Sequence, residues 1–223
     1  MNYALQYTNR KRTISISVTP KMEVVVKAPK RVSKKEIDYF VHQKTNWITK
    51  KLAYFETRKH DFIEKQYING EKHRLLGKEY KLQILNSKKD NVQIKDDLLV
   101  IKNSRIHNQF STKIILNLWY KKQVVEYITK KAADVFKLFE TEVKKLPEIN
   151  FRKTKSRWGS CGTNGKIAFN PELIKTDPKC IEYVVIHEFC HLLEHNHSKR
   201  FYTLLERKMP DWKVWKKRLE EFH

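Results

Sequence analysis

The stretch Tyr183-Val184-Val185-Ile186-His187-Glu188-Phe189-Cys190-His191-Leu192-Leu193-Glu194-His195-Asn196-His197-Ser198 decides how this chain reads. His187 and His191 stand four residues apart. A helix turns about every 3.6 residues, so both imidazoles project from one face and can grip a single metal ion. Glu188 follows the first histidine. From there a carboxylate reaches a water beside the metal without ligating the metal itself, the HExxH pattern of two ligands and one general base. Val184, Val185, Ile186, Leu192 and Leu193 flank the pattern and predict a buried helix. Burying two histidines and a glutamate is costly unless they are paired or metal-bound. That favours a metal site over a surface histidine pair with a salt-bridging glutamate. Cys190, inside the motif, reads as a small packing residue, as do Cys161 and Cys180.

Zinc is the expected metal. Catalytic zinc usually takes three protein ligands and keeps one position open. His197, six residues beyond His191, serves as the third if the helix ends between them. Asn196 suits a left-handed helix end and Ser198 suits the cap of a new helix. The spacing HExxHxxxxxH equals that of the metzincins, but Glu194 stands where they place glycine. His195 is the rival ligand; three histidines in one helical row, however, lie about 12 Å apart end to end. Glu194 or a distant acid is the remaining alternative.

Outward from this stretch, Asp177 and Pro178 read as a helix cap followed by proline at the first helical position. Ser198 and Pro210-Asp211 open two further helices. Residues 151–170 read as strand, turn and strand around Asn164-Gly165. Ile114, Ile115, Leu118, Val125, Ile128, Ala132, Val135 and Phe136 mark a long amphipathic helix. Before it, residues 67–102 read as a β meander, with Asn69-Gly70 as a hairpin signal, a second turn at Leu76-Gly77 and a hairpin around Asp96-Asp97. The first third shows two strands, alternating at Ile14, Ile16 and Val18 and then from Met22 to Ala28, turned by Thr19-Pro20-Lys21. Ser33-Lys34-Lys35-Glu36 is a capping box, and Ile37, Phe40, Val41, Ile48, Leu52 and Phe55 predict one helix from Lys34 to about Thr57.

Composition limits the classes. The chain has 223 residues, 40% of them hydrophobic, enough for one large domain or two small ones with a packed core. No apolar run approaches the roughly 20 residues of a membrane span. Met1-Asn2-Tyr3-Ala4-Leu5 lacks a secretory pattern. Three cysteines without a CxxC pair argue against a disulfide framework. A cytoplasmic setting without membrane contact is expected. The net charge of +22 suits a polyanion partner such as nucleic acid or a nucleotide, or simply lysine-coded solvated faces, and it is spread along the chain.

Lys155-Ser156-Arg157-Trp158-Gly159-Ser160-Cys161, the segment Tyr183 to Leu192, and Asn196-His197-Ser198 together resemble the YgjP-like metallopeptidase family, a relative of the WLM and SprT-type zinc proteases. Pro29, Trp47-Ile48, Leu76-Gly77 and Pro210-Asp211 extend the resemblance over nearly the whole chain. Departures occur at Ala168-Phe169-Asn170-Pro171, where the family often has Ser-Leu-Asn-Trp, at His195 (often Met) and at Tyr202 (often Trp). They flank the site and spare the ligands. The resemblance implies zinc on His187, His191 and His197, Glu188 as base, and a peptide or protein substrate. The expected fold is α+β: a β-rich N-terminal subdomain with one long helix over 1–107, then a mainly helical zincin-like metallohydrolase domain with a small antiparallel sheet over 108–223.

The Arg157-to-Cys161 segment has two readings. In one, Arg157 or Ser160 meets substrate, and Lys166 to Asn170 is an edge strand that pairs with an extended peptide. In the other it is a tight turn with Trp158 as a core anchor. The expected chemistry is hydrolysis: zinc polarises the scissile carbonyl and acidifies water, while Glu188 moves the proton to the leaving amine. Tyr202, His195 and Arg157 are the candidate oxyanion partners. Two rival functions use the same metal site: a nucleotide pyrophosphatase, and, by fold-level analogy, a DNA-associated protease of the SprT/WLM type.

Overall fold

Three strands open the chain: β1 (Ala4–Thr8), β2 (Ser15–Val18) and β3 (Val24–Pro29). They belong to a computed structural model that describes residues 2–57, 65–105, 108–154 and 157–222. β2 and β3 pair antiparallel across the expected turn, where Met22 takes a left-handed φ of 64° and its N–H donates to the Thr19 carbonyl at 2.8 Å. β1, for which the alternation gave no signal, adds in parallel to the other side of β3. The capping box forms as predicted, with Ser33 Oγ accepting from Glu36 N and the Glu36 carboxylate accepting from Ser33 N. The single long helix does not. The chain instead forms α1 (Lys34–Gln43) and α2 (Thr45–Thr57), parted at Lys44, whose φ of −101° and ψ of 8° leave the helical region. Thr45 Oγ1 donates to the His42 carbonyl at this break, the local competition by which threonine interrupts helices. Val24, Val26, Ala28, Ile37, Val41 and Ile48 form the core of this unit.

The chain makes two compact units, residues 1–65 and 66–223. The boundary expected between 107 and 108 abuts residues 106–107, which lie outside the described residues, as do Lys155 and Ser156. The division at 65/66 has a physical reason. The four-stranded sheet of β4 (Lys72–Leu75), β5 (Lys78–Asn86), β6 (Asn91–Lys95) and β7 (Leu98–Asn103) shares a core with the long helix α3 (Gln109–Phe136), through Leu82, Leu99 and Ile101 against Leu116. Tyr120 Oη of α3 donates to the Arg74 carbonyl at 2.7 Å, and Leu76 N donates to the Ile174 carbonyl at 2.8 Å.

This sheet is not a meander. Its order is β4-β5-β7-β6, with β5 and β7 parallel. The hairpin turns fall at Leu76-Gly77 and at Asp96-Asp97, where Leu76, Gly77 and Asp96 are left-handed. Asn69-Gly70 forms a turn ahead of β4 rather than a hairpin; Gly70 N donates to the Leu82 carbonyl and Asn69 Oδ1 accepts from Ile84 N.

The buried stripe of α3 is Thr112, Leu116, Val124, Ile128, Ala132 and Val135. Ile114, Leu118 and Val125, read as core positions, are exposed; the helix carries apolar residues on more than one face, so periodicity alone could not orient it. The last sheet, expected to be antiparallel, is mixed: β8 (Ile149–Phe151) runs parallel to β10 (Ile167–Phe169), and β9 (Gly159–Cys161) antiparallel to it. β10 is therefore the middle strand, and the edge beside the histidine helix is β9, not Lys166 to Asn170. A 3₁₀ turn at Pro171–Lys175 leads into α4 (Pro178–Cys190), followed by α5 (Lys199–Lys208) and α6 (Trp212–Glu220).

Candidate metal centre

Helix α4 is the platform. Asp177 begins it, but its side chain makes no capping bond; its Oδ2 accepts from Arg218 Nε of α6 at 2.7 Å instead. Cys180, Ile181, Val185, Ile186, Phe189 and Cys190 are fully or nearly fully buried and lock the helix into a core that includes Val124, Ile128, Ala132 and Val135 of α3. With that side committed, His187, Glu188 and His191 turn toward a cleft of about 560 Å³.

The helix ends at Cys190, with His191 as its C-cap. Asn196 is not left-handed; the positive-φ non-glycine residues of the described chain lie elsewhere. The termination is by bent turns, in which Leu193 N and Glu194 N both donate to the Cys190 carbonyl. The chain then doubles back, and Ser198 Oγ accepts from Phe201 N to cap α5, as expected. This return brings His197 to the first two histidines. Ring nitrogens of His187, His191 and His197 lie within 4.8 Å of one another, a set that could hold a metal ion. His195 and Glu194 are not in this set; His195 lines the cleft, and the Glu194 carbonyl lies 3.1 Å from His191 Nδ1.

Phe201 was not anticipated as part of the site. Its ring is fully buried, with its centroid 4.9 Å from that of His187, 4.6 Å from His191 and 4.7 Å from His197. One rigid aromatic face thus backs all three imidazoles. The sequence signal was present but indirect: the predicted cap at Ser198 puts Phe201 in the first turn of α5.

The electrostatics suit a metal. His187 Nε2 and His197 Nε2 face each other at 3.0 Å. Burial, then the neighbouring His191 and His197, push the His187 pKa down to about 3, so its imidazole stays neutral and able to donate a lone pair. His187 Nδ1 is buried without a hydrogen-bond partner among the described residues. Burial alone raises the Glu188 carboxyl to about 8, against the opposing pull of the Arg157 charge and the Cys161 backbone N–H. Its Oε2 also lacks a partner among the described residues. Three converging imidazoles, with His187 held neutral, beside a desolvated carboxyl match the donor set of a catalytic divalent cation, three protein ligands with one side left open.

The sequence-derived substrate residues Arg157 and Ser160 both line the cleft. Trp158 does double duty, packing against the core and lining the cleft. Cys190 and Cys180 are buried packing residues, whereas Cys161 is half-buried and faces the cleft. Gly159 carries a constraint that spacing could not show. A Cβ there would meet Glu188 Oε1 at 2.6 Å and Cγ at 2.7 Å. Lys216, Leu219 and Glu220 of α6 complete the opposite wall. Tyr202 stacks on Trp212 at 5.4 Å, with its ring 6.1 Å from that of His197.

Converging imidazoles and a buried carboxyl beneath an open cleft define the class of a metal-dependent hydrolase. The family described as "YgjP-like, metallopeptidase domain" matches residues 12–222, and the chain belongs to that family. It is a family of metal-dependent peptidases by that description. Among solved structures, the metallopeptidase zymogen abylysin of Pyrococcus abyssi is similar at 18% identity, over 41% of this chain and 90% of that one, with a TM-score of 0.37. No curated protein matches. No helix among the described residues is long and apolar enough to cross a membrane.

Proposed function

We propose that this protein is a zinc peptidase in which His187, His191 and His197 hold the metal and Glu188 is the general base. The observation that carries the reading is the convergence of the three imidazole nitrogens within 4.8 Å beside a buried carboxyl. When bound, zinc supplies Lewis acidity, polarising the scissile carbonyl and acidifying water. The chain's own residues do the rest. His187 and His191 remain neutral ligands because burial disfavours their protonated forms. The Phe201 ring restrains all three and shields one side from water. Glu188 is held between α4 and the β9 edge, with an affinity for protons suited to taking one from water and passing it to a leaving amine. Arg157 and Lys216 stand at the cleft walls, where they orient a polar substrate and Arg157 keeps the carboxyl from being pushed still higher. The substrate is a peptide or an unfolded protein segment that can enter the open cleft.

The test is a paired measurement. Wild-type protein and Glu188→Gln are loaded with zinc, analysed for metal, and incubated with a degenerate peptide library. One zinc per chain in both, with cleavage only by the wild type, is the expected result. Undiminished cleavage by Glu188→Gln, or zinc binding that survives His197→Ala unchanged, would refute the assignment.

A further inference from the structure

A second cavity, of about 260 Å³, adjoins the catalytic cleft on the other side of β9. It follows from strand alternation. Ile167 and Phe169 of β10 are fully buried in the core, so Ala168 between them points to the opposite face. Its cross-strand partner is Ser160 of β9. Two small side chains meet there and leave a hollow, where larger ones would have filled it. Arg152, Thr154 and Arg157 close the hollow from the loop that joins β8 to β9, and Asn170 closes its base.

The frame of the cavity is tied down. Asn170 is buried, and its Nδ2 donates to the Thr154 carbonyl at 2.9 Å and to the Arg157 carbonyl at 3.2 Å. Its Oδ1 accepts from Glu172 N at 3.1 Å. Thr154 Oγ1 donates to the Arg157 carbonyl at 2.6 Å. One asparagine therefore ties the backbone carbonyls of both Thr154 and Arg157. Neither the Arg152 nor the Arg157 guanidinium forms a close ion pair with a carboxylate among the described residues, although the Arg157 charge acts on the Glu188 carboxyl. The nearby acids are committed elsewhere: Glu172 to Lys153 and Lys175, and Glu148 to Lys166. Arg157, Gly159 and Ser160 line both this cavity and the catalytic cleft.

We infer that the Arg152–Arg157 cavity is a carboxylate-recognition subsite, which selects peptides bearing an acidic group beside the bond to be cut. The assignment rests on the peptidase reading of the adjoining cleft. A guanidinium presents a planar fork of donors that matches a carboxylate. An extended peptide lying along β9 sends alternate side chains to opposite faces, one toward the histidines and the next toward the cavity. A carboxylate reaches this cavity either as an Asp or Glu side chain or as the terminus of the substrate. The shared chemistry is a carboxylate beside the scissile bond.

Two measurements test it. In the first, the zinc-loaded wild type cleaves matched peptide libraries with acidic residues, with their amide counterparts, and with free or amidated C-termini. Enrichment of Asp or Glu near the cleaved bond identifies the side chain as the source; loss of cleavage on amidation identifies the terminus. Arg152→Gln is expected to lower kcat/KM on the preferred acidic peptides about tenfold to a hundredfold, mainly through KM, the usual size of a lost charge-assisted bond, and to leave the amide counterparts unchanged. In the second, calorimetry follows N-acetylglutamate and glutarate binding to zinc-loaded Glu188→Gln, with and without Arg152→Glu. Binding that Arg152→Glu abolishes while zinc content holds supports the subsite even if no peptide is cleaved, in which case the peptidase reading fails by itself. Cleavage without any acidic preference overturns the subsite and leaves the peptidase reading intact. Inorganic phosphate bound more tightly than either carboxylate also overturns it.

Discussion

Removing the charge of Glu188 should stabilise the metal-free protein at high pH. Only 4% of this residue is exposed, and burial raises its carboxyl from 4.5 to about 8. A raised folded-state pKa means that the fold binds a proton which the unfolded chain releases between those two values. Stability is then lost as pH rises from about 4.5 through about 8. Each tenfold in proton affinity is worth about 1.4 kcal/mol, so the full penalty reaches roughly 4–5 kcal/mol at pH 9. Glutamine keeps the shape and cannot ionise. The difference in unfolding free energy between metal-free wild type and Glu188→Gln should therefore change by roughly that amount between pH 4 and pH 9, in favour of Gln. In thermal unfolding this is a shift on the order of 10 °C for the larger unit. The assay is chelator-treated protein, unfolded by urea and by heat at a series of pH values. Every other titrating group is common to both proteins and cancels in the comparison, as does any constant cost of burying the amide. A difference that stays flat from pH 4 to pH 9 would refute the buried-carboxyl argument.

Three further outcomes are expected. Phe201→Ala removes the ring that backs all three imidazoles; it should cost about 3–5 kcal/mol of stability, and competition with a chelator should show weakened zinc binding. Gly159→Ala places a methyl against the Glu188 carboxylate, so turnover should fall while metal analysis still finds one zinc per chain; Glu188→Asp, with its shorter side chain, should cost less in the Gly159→Ala background than in the wild type. Leu116→Ala should destabilise by about 2–5 kcal/mol, whereas Leu118→Ala should lie within about 0.5 kcal/mol of wild type. Equal effects at these two positions, read from denaturant midpoints, would contradict the orientation of α3.

The sequence by itself determined the elements whose signals are local. The HExxH spacing places His187 and His191 on one helical face whatever surrounds them, because helical geometry depends on nothing beyond the helix. Ser33, Ser198 and the Asp96-Asp97 turn act through hydrogen bonds and backbone angles within a few residues, and each forms where expected. The family resemblance also lay in the linear motifs, and the profile over residues 12–222 bears it out. Tertiary structure decided the rest. Which face of α3 is buried depends on what packs against it, and several of its faces are apolar enough to serve. The parallel pairings of β1 with β3, β5 with β7 and β8 with β10 are choices between partners distant in sequence. The order β8-β10-β9 makes β9 the edge strand, sets Gly159 against Glu188, and opens the arginine-lined hollow behind it. HExxH named the candidate groups; the packing around α4 turned them into a cleft, because burial and approach distance exist only between segments that the chain has brought together.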